Sequence, residues 1–248
     1  MARDERMYPN FGDGNFAFHL FRYLWALRFA YDRIVLDAGC GSGYGADLLA
    51  AVARRVVGVD HDAEVIAEDS AKYAYRSNLT FKLETVADLS FPDESFDIIV
   101  SFEVYEHIEL AKTEAFLRHL SRLCRPGGRV LLSTPNRLVE GPFMRSAGQA
   151  YHYHVNSVSP GELKARLRAH FKAVTLFGQR VKASPPKGVL RALDPLNLRH
   201  RWLSYSAMQR LERTLSPEPF SRSPDLERIR IARSLVRQSG IIVAACSK

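Results

Sequence analysis

Short apolar runs rich in Val, Ile and Leu alternate along the chain with longer stretches in which apolar residues recur every three or four positions. The short runs read as buried strands and the longer stretches as amphipathic helices. Residues 15–30 predict a leading helix. Strands follow at 33–37, 56–60, 79–85, 96–101, 129–133 and 171–178, and a last one at 240–246. Between them the spacing predicts helices at about 45–53, 63–75, 113–124 and 160–170. Two more are expected near 189–215 and 224–238. The Pro126-Gly127-Gly128 turn ends one helix before its strand, and 135–156, without clear periodicity, reads as a long loop over a site.

Strand–helix alternation of this kind predicts an α/β fold: one seven-stranded, mostly parallel sheet with helices on both faces. The expected layout is a cap helix (1–32), a core (33–179), a basic helical insertion serving as lid or dimer surface (180–239), and a final core strand (240–248). The aromatic stripe Phe16, Phe18, Phe21, Tyr23, Trp25 and Phe29 reads as the buried or docking face of the first helix.

Hydrophobic residues make up 46% of the chain and charged residues 25%, which is globular rather than disordered or fibrous. No apolar run is long enough to span a membrane, and the first residues lack a signal-peptide core, so a cytoplasmic protein is expected. Cys40, Cys124 and Cys246 are scattered, with neither disulfide nor zinc spacing. Residues 180–240 hold 13 Lys/Arg against 5 acids, an excess equal to the whole chain's net charge of +8. Such a segment suits nucleic acid, anionic lipid or a phosphorylated substrate, or is simply a solvated helical face.

The sharpest local pattern is Val35-Leu36-Asp37-Ala38-Gly39-Cys40-Gly41-Ser42-Gly43. A strand ends in an acid and enters a glycine turn that opens a helix, where the backbone can approach a ligand closely. Asp37 suits a ligand's ammonium group. Asp60 ends the second strand, where a carboxylate can accept hydrogen bonds from ribose hydroxyls, and Asp88 follows the third strand, within reach of an adenine amine. The glycines run G-x-G-x-G rather than the G-x-G-x-x-G of nicotinamide-dinucleotide domains.

With Pro92–Asp97 before strand four and Arg125–Gly128 before strand five, this series resembles the class I S-adenosylmethionine-dependent methyltransferases, of the type 11/12 group, over about 33–178. The resemblance implies that Asp37, Gly39, Cys40, Gly41, Gly43, Asp60, His61, Asp88, Leu89 and Phe102 border S-adenosylmethionine.

After strand four comes Glu103-Val104-Tyr105-Glu106-His107. On a helical turn, positions 103, 106 and 107 share one face, and two carboxylates with an imidazole suit Mg²⁺, Mn²⁺, Fe²⁺ or Zn²⁺. The segment resembles the metal site of small-RNA 2′-O-methyltransferases and of ubiquinone-pathway O-methyltransferases. In the RNA enzymes a histidine downstream of a T-P-N sequence completes the site. Here Thr134-Pro135-Asn136 precedes His152 and His154. His154 is preferred as fourth ligand, because His154–Leu163 is similar to a run in sugar O-methyltransferases. Without a metal, His107 or His154 would serve as general base, and in many class I enzymes a histidine at position 107 merely supports a loop. Glu5–Pro9 resembles an entry segment of sugar-modifying relatives, and Tyr151 and Tyr153 are candidates for lining a sugar pocket.

The expected function is therefore methylation of a hydroxyl on a sugar, glycan intermediate or other small metabolite, with Mg²⁺ or Mn²⁺ as a candidate second cofactor. RNA 2′-O-methylation and N-methylation of a small molecule are the alternatives, and a noncatalytic partner subunit is the rival from outside enzymology.

Overall fold

Consecutive residues of the central strands face opposite sides of the sheet, and both sides are dry. Leu36, Val57, Ile99, Leu132 and Ile242 pack in one cluster, whereas Val35, Val56, Ile98, Leu131 and Val243 pack in the other. Strands covered on both faces read as unbroken apolar runs, which is the pattern that helices on either side require.

The computed structural model describes residues 14–140, 154–181, 226, 229–234 and 236–248. In chain order the elements are α1 (Gly14–Ala30), β1 (Ile34–Ala38), α2 (Tyr44–Ala50), β2 (Arg55–Asp60), α3 (Ala63–Lys72), β3 (Leu79–Leu83) and β4 (Phe96–Phe102). A 3₁₀ turn (Tyr105–His107), α4 (Leu110–Leu123) and β5 (Cys124–Pro135) follow. Then come α5 (Pro160–Arg168), β6 (Ala173–Val181), β7 (Ile229–Ala232), a second 3₁₀ turn (Val236–Gln238) and β8 (Ile241–Ser247).

The sheet order is β3-β2-β1-β4-β5-β8-β6-β7. The first five strands are parallel, and β8 inserts antiparallel between β5 and β6. Chain order reverses between β1 and β4, and such a switch point opens a crevice beyond the carboxyl ends of the strands. Residues 38, 60, 102 and 135 end their strands on that same edge.

Phe116, Leu117 and Leu120 of α4, with Leu163 and Leu167 of α5, cover one face. Phe16, Tyr23 and Trp25 of α1 and Leu49 of α2 cover the other, so the α1 aromatics include the expected burial face. The helix starts are fixed locally. Asp62 caps α3 by accepting from the Glu64 and Val65 amides, and Ser159 and Glu162 form a reciprocal capping box at α5 with Pro160 in the first turn.

Among the described residues the sheet has eight strands rather than seven, and the extra one corrects the helix expected at 224–238. Ile229–Ala232 pairs antiparallel with β6, with Ile229 buried and Arg230 exposed. The Ile-Arg-Ile alternation has period two, and the open edge of β6 captures it. β5 also begins earlier than expected, at Cys124: Cys124 pairs with Phe96 and Arg129 with Ile98, and that shift of register takes up the turn at Gly127, φ +77°. The other boundaries end within about a turn of their expected places. The Glu5–Pro9 segment, residues 151–153, the helix expected at 189–215 and most of the basic insertion lie outside the described residues. No helix among the described residues is long and apolar enough to cross a membrane.

Candidate functional site

The glycine turn after β1 is built on positive φ angles: +86° at Gly39, +53° at Gly41 and +69° at Gly43. The Gly39 and Cys40 amides both donate to the Val59 carbonyl at 2.9 Å, which ties the turn to β2. A Cβ on Gly39 would stand 2.5 Å from Val104 Cγ2, and one on Gly43 would stand 2.6 Å from the Tyr73 ring. A Cβ on Gly41 would meet no atom within 4 Å, so the turn presents bare backbone to open space there.

Asp60, buried at the end of β2, accepts from the Gly41 amide at 3.1 Å and the Asp62 amide at 3.2 Å. His61 Nδ1 lies 3.2 Å from Oδ1, the oxygen that also takes the Asp62 amide. The acid thus ties the glycine turn to β2 from the cavity side.

Asp37 is fully buried, and Tyr23 of α1 donates its hydroxyl to both carboxylate oxygens, at 3.1 and 3.2 Å. Burial raises the Asp37 carboxyl to about 7; the Tyr23 hydroxyl opposes the shift, and the charges of Asp60 and Asp69 add to it.

Past β3, an isolated bridge between Thr85 and Asp88 folds the loop so that Thr85, Val86 and Ala87 border the crevice. Asp88 itself is exposed beside them, and Leu89 is buried in the apolar core.

The acids and imidazoles after β4 are placed differently from an α-helical turn. Glu103 adopts φ +57°, and only Tyr105–His107 form a 3₁₀ turn. The left-handed step swings Glu103 away, so that its carboxylate accepts from Ser133 Oγ at 2.7 Å and faces Arg22 at 3.7 Å. Glu106, His107 and His154 converge instead, with one ligand atom of each lying within 4.8 Å of the others. The two imidazole rings stand 5.2 Å apart at 77°. Glu106 is buried and accepts from Thr134 Oγ1 at 3.0 Å; burial first, then the Glu103 charge, holds its carboxyl well above the usual range. His152 lies outside the described residues.

The T-P-N sequence has a structural reason of its own. Thr134 supports Glu106, and the buried Asn136 side-chain amide donates to the carbonyls of Val236, Arg237 and Ser239. That clamp fixes the approach to β8 beside the site.

Glycine turn and side-chain cluster open into one cavity of about 1120 Å³. Gly39, Cys40, Gly41, Asp60, His61 and Phe102 line it at one side; Glu103, Glu106, His107 and His154 line it at another. Asp37 and Gly43 stand behind the wall. Of the cysteines only Cys40 reaches the cavity; all three are free and buried, and burial pushes each thiol up.

Sequence reasoning missed four contributors. From α1, the buried His19 and Arg22 face the cavity. Arg22 donates to Gln179 of β6 at 2.7 Å, and burial and the Arg22 charge lower the His19 imidazole well below its usual value. Glu140 Oε1 lies 3.4 Å from His154 Nδ1, and Tyr23 holds Asp37. The only signal for the first pair was a polar residue on either side of one turn of a largely apolar helix.

Residues 36–132 match the family described as methyltransferase domain. The chain is 40% identical over 141 residues to a probable S-adenosylmethionine-dependent methyltransferase of Mycolicibacterium smegmatis, covering 56% of this chain and 52% of that one. It is 30% identical over 152 residues to a ubiquinone biosynthesis O-methyltransferase of Rhizobium etli, covering 57% and 60%. The chain thus spans roughly half the length of these curated relatives. Among solved structures, the YcgJ protein of Bacillus subtilis superposes with a TM-score of 0.60 over 94% of this chain and 98% of that one, at 19% identity. At that identity the likeness is one of fold, and the fold is the Rossmann-like one of methyltransferases.

Proposed function

We propose, for a chain whose residues 36–132 match a methyltransferase domain, that it moves a methyl group from S-adenosylmethionine to a hydroxyl oxygen of a sugar, glycan intermediate or other small metabolite. One observation carries this reading: the glycine turn and the Glu106–His107–His154 cluster line the same cavity. The turn fits the cofactor on its own geometry. Backbone at Gly41 lies bare toward open space, and the buried Asp60, already oriented by two amides, keeps lone pairs for ribose hydroxyls.

When bound, the cofactor supplies an electrophilic methyl group on its sulfonium. The chain supplies position: a substrate oxygen held in line with that methyl needs little further activation beyond removal of its proton. One carboxylate and two imidazoles form a donor set suited to a divalent cation, and Glu106, His107 and His154 are the residues that would hold it. Such an ion would lower the pKa of a bound hydroxyl and favour acceptors with two neighbouring oxygens.

A second reading omits the cation and gives the hydroxyl proton to His107 or His154. It is favoured by geometry: both imidazoles line the cavity, and Glu140 Oε1 stands 3.4 Å from His154 Nδ1, where a carboxylate would stabilise the imidazolium that proton uptake forms.

Incubation with methyl-labelled cofactor and a panel of sugars, glycan intermediates, catechols and small amines tests both. Label on diols that requires Mn²⁺ and is lost in Glu106→Ala supports the cation. Label that ignores chelators supports the base. Label confined to amines overturns oxygen methylation.

A further inference from the structure

The cluster is assembled from two segments far apart in sequence, the 3₁₀ turn after β4 and the loop that leads into α5. A set of buried bonds ties the two together, one directly between them and the rest from behind. The Asn156 amide, two residues past His154, donates to the Glu106 carbonyl at 3.1 Å. Its side-chain amide donates to Thr113 Oγ1 of α4 at 2.8 Å. Its side-chain carbonyl accepts from Arg166 Nη1 at 3.1 Å, and the same nitrogen donates to the Tyr105 hydroxyl at 2.7 Å.

One guanidinium nitrogen of α5 therefore bridges the residue preceding Glu106 and the residue that carries the His154 loop. Asn156 and Tyr105 are buried, and none of Tyr105, Thr113, Asn156 and Arg166 borders the cavity. These residues cannot touch a bound ligand, yet every one fixes the distance between the two halves of the cluster.

We infer that Arg166 and Asn156 are positioning residues that hold His154 in register with Glu106 and His107, and so set the affinity of the cluster for a divalent cation. This rests on the cation reading of the site. Groups that orient metal-binding side chains from behind typically change affinity by about 10–100-fold when removed. A single nitrogen makes both Arg166 bonds, so a lysine ammonium can replace part of its work, whereas an isosteric apolar chain replaces none.

The test uses Arg166→Met, Arg166→Lys and Asn156→Ala, each read in two ways. Mn²⁺ is titrated calorimetrically into chelator-stripped protein in the presence of S-adenosylhomocysteine, and the imidazole signals of all histidines are recorded by NMR in the metal-free protein. The expected result is a loss of Mn²⁺ affinity of about 10–100-fold in Arg166→Met and Asn156→Ala, with partial recovery in Arg166→Lys. The His107 and His154 signals move, while those of His61 and His170 and the affinity for S-adenosylhomocysteine do not. If the unaltered protein takes up no Mn²⁺ but the two imidazole signals still move in the variants, the cation reading fails and the positioning role stands. Variants that leave the His107 and His154 signals in place overturn the positioning role.

Discussion

Tyr23 and Asp37 lie on different elements, and the phenol hydroxyl of one bridges both carboxylate oxygens of the other at 3.1 and 3.2 Å. That contact joins α1 to the end of β1 directly behind the glycine turn. It also favours the ionised form of Asp37, against the burial that raises its pKa.

Asp37 makes stability depend on pH. Its carboxyl is raised to about 7 in the folded protein against 3.8 unfolded, so the folded state holds this proton more tightly. The contribution is full below 3.8 and is lost as pH rises through about 7. Between pH 5 and pH 8 this single group should remove roughly 2–3 kcal/mol of stability. Denaturant melts at both pH values should show that much less loss in Asp37→Asn than in the unaltered chain. Equal losses in the two would refute the assignment.

Gly39 and Gly127 both have positive φ, +86° and +77°, but only Gly39 has a neighbour, Val104, where a Cβ would go. Gly127→Ala should cost about 1 kcal/mol, the left-handed penalty alone. Gly39→Ala should cost about 2–4 kcal/mol, strain plus collision. Adding Val104→Ala to Gly39→Ala should recover part of the collision cost, which thermal melts of the double variant would measure. Additive losses would mean that Val104 is not what excludes the side chain.

Asn136 donates to three carbonyls and is fully buried. Asn136→Ala should destabilise the chain by about 1–3 kcal/mol, since one buried and two partly buried carbonyls lose their donor. The same change should loosen the β5–β8 end selectively, seen as faster amide exchange at residues 240–242 than in β2. Uniform exchange would assign Asn136 no local role.

The glycine turn was legible because its requirement is local: positive φ at Gly39, Gly41 and Gly43 is written as glycine, and Asp60 ends its strand in sequence as in space. The cluster was only partly legible. Helical spacing grouped Glu103 with Glu106 and His107, but one left-handed residue broke that register and sent Glu103 to Ser133. His154 could be proposed only by likeness to other enzymes, and the polar support from Glu140, Asn156 and Arg166 depends on tertiary contacts that no spacing encodes. β7 escaped because four residues in a charged segment carry too little period to outweigh helical neighbours, and the open edge of β6 decides their conformation.

Asp60 offers a separate check on the cofactor side. Asp60→Ala removes the carboxylate that orients the Gly41 amide and faces the cavity, so binding of S-adenosylhomocysteine should weaken by about 10–100-fold, the equivalent of roughly 1.5–3 kcal/mol. Fluorescence or calorimetric titration measures it. An unchanged affinity would move the ribose away from Asp60.

As proposed, the cavity above the glycine turn takes S-adenosylmethionine beside a cation-binding cluster. Calorimetric titration of S-adenosylhomocysteine into chelator-stripped protein, alone and with Mn²⁺, and again in Glu106→Ala, tests it most directly. Saturable cofactor binding is expected in every case, with Mn²⁺ uptake that disappears in the variant. Absence of cofactor binding by the unaltered protein would contradict it.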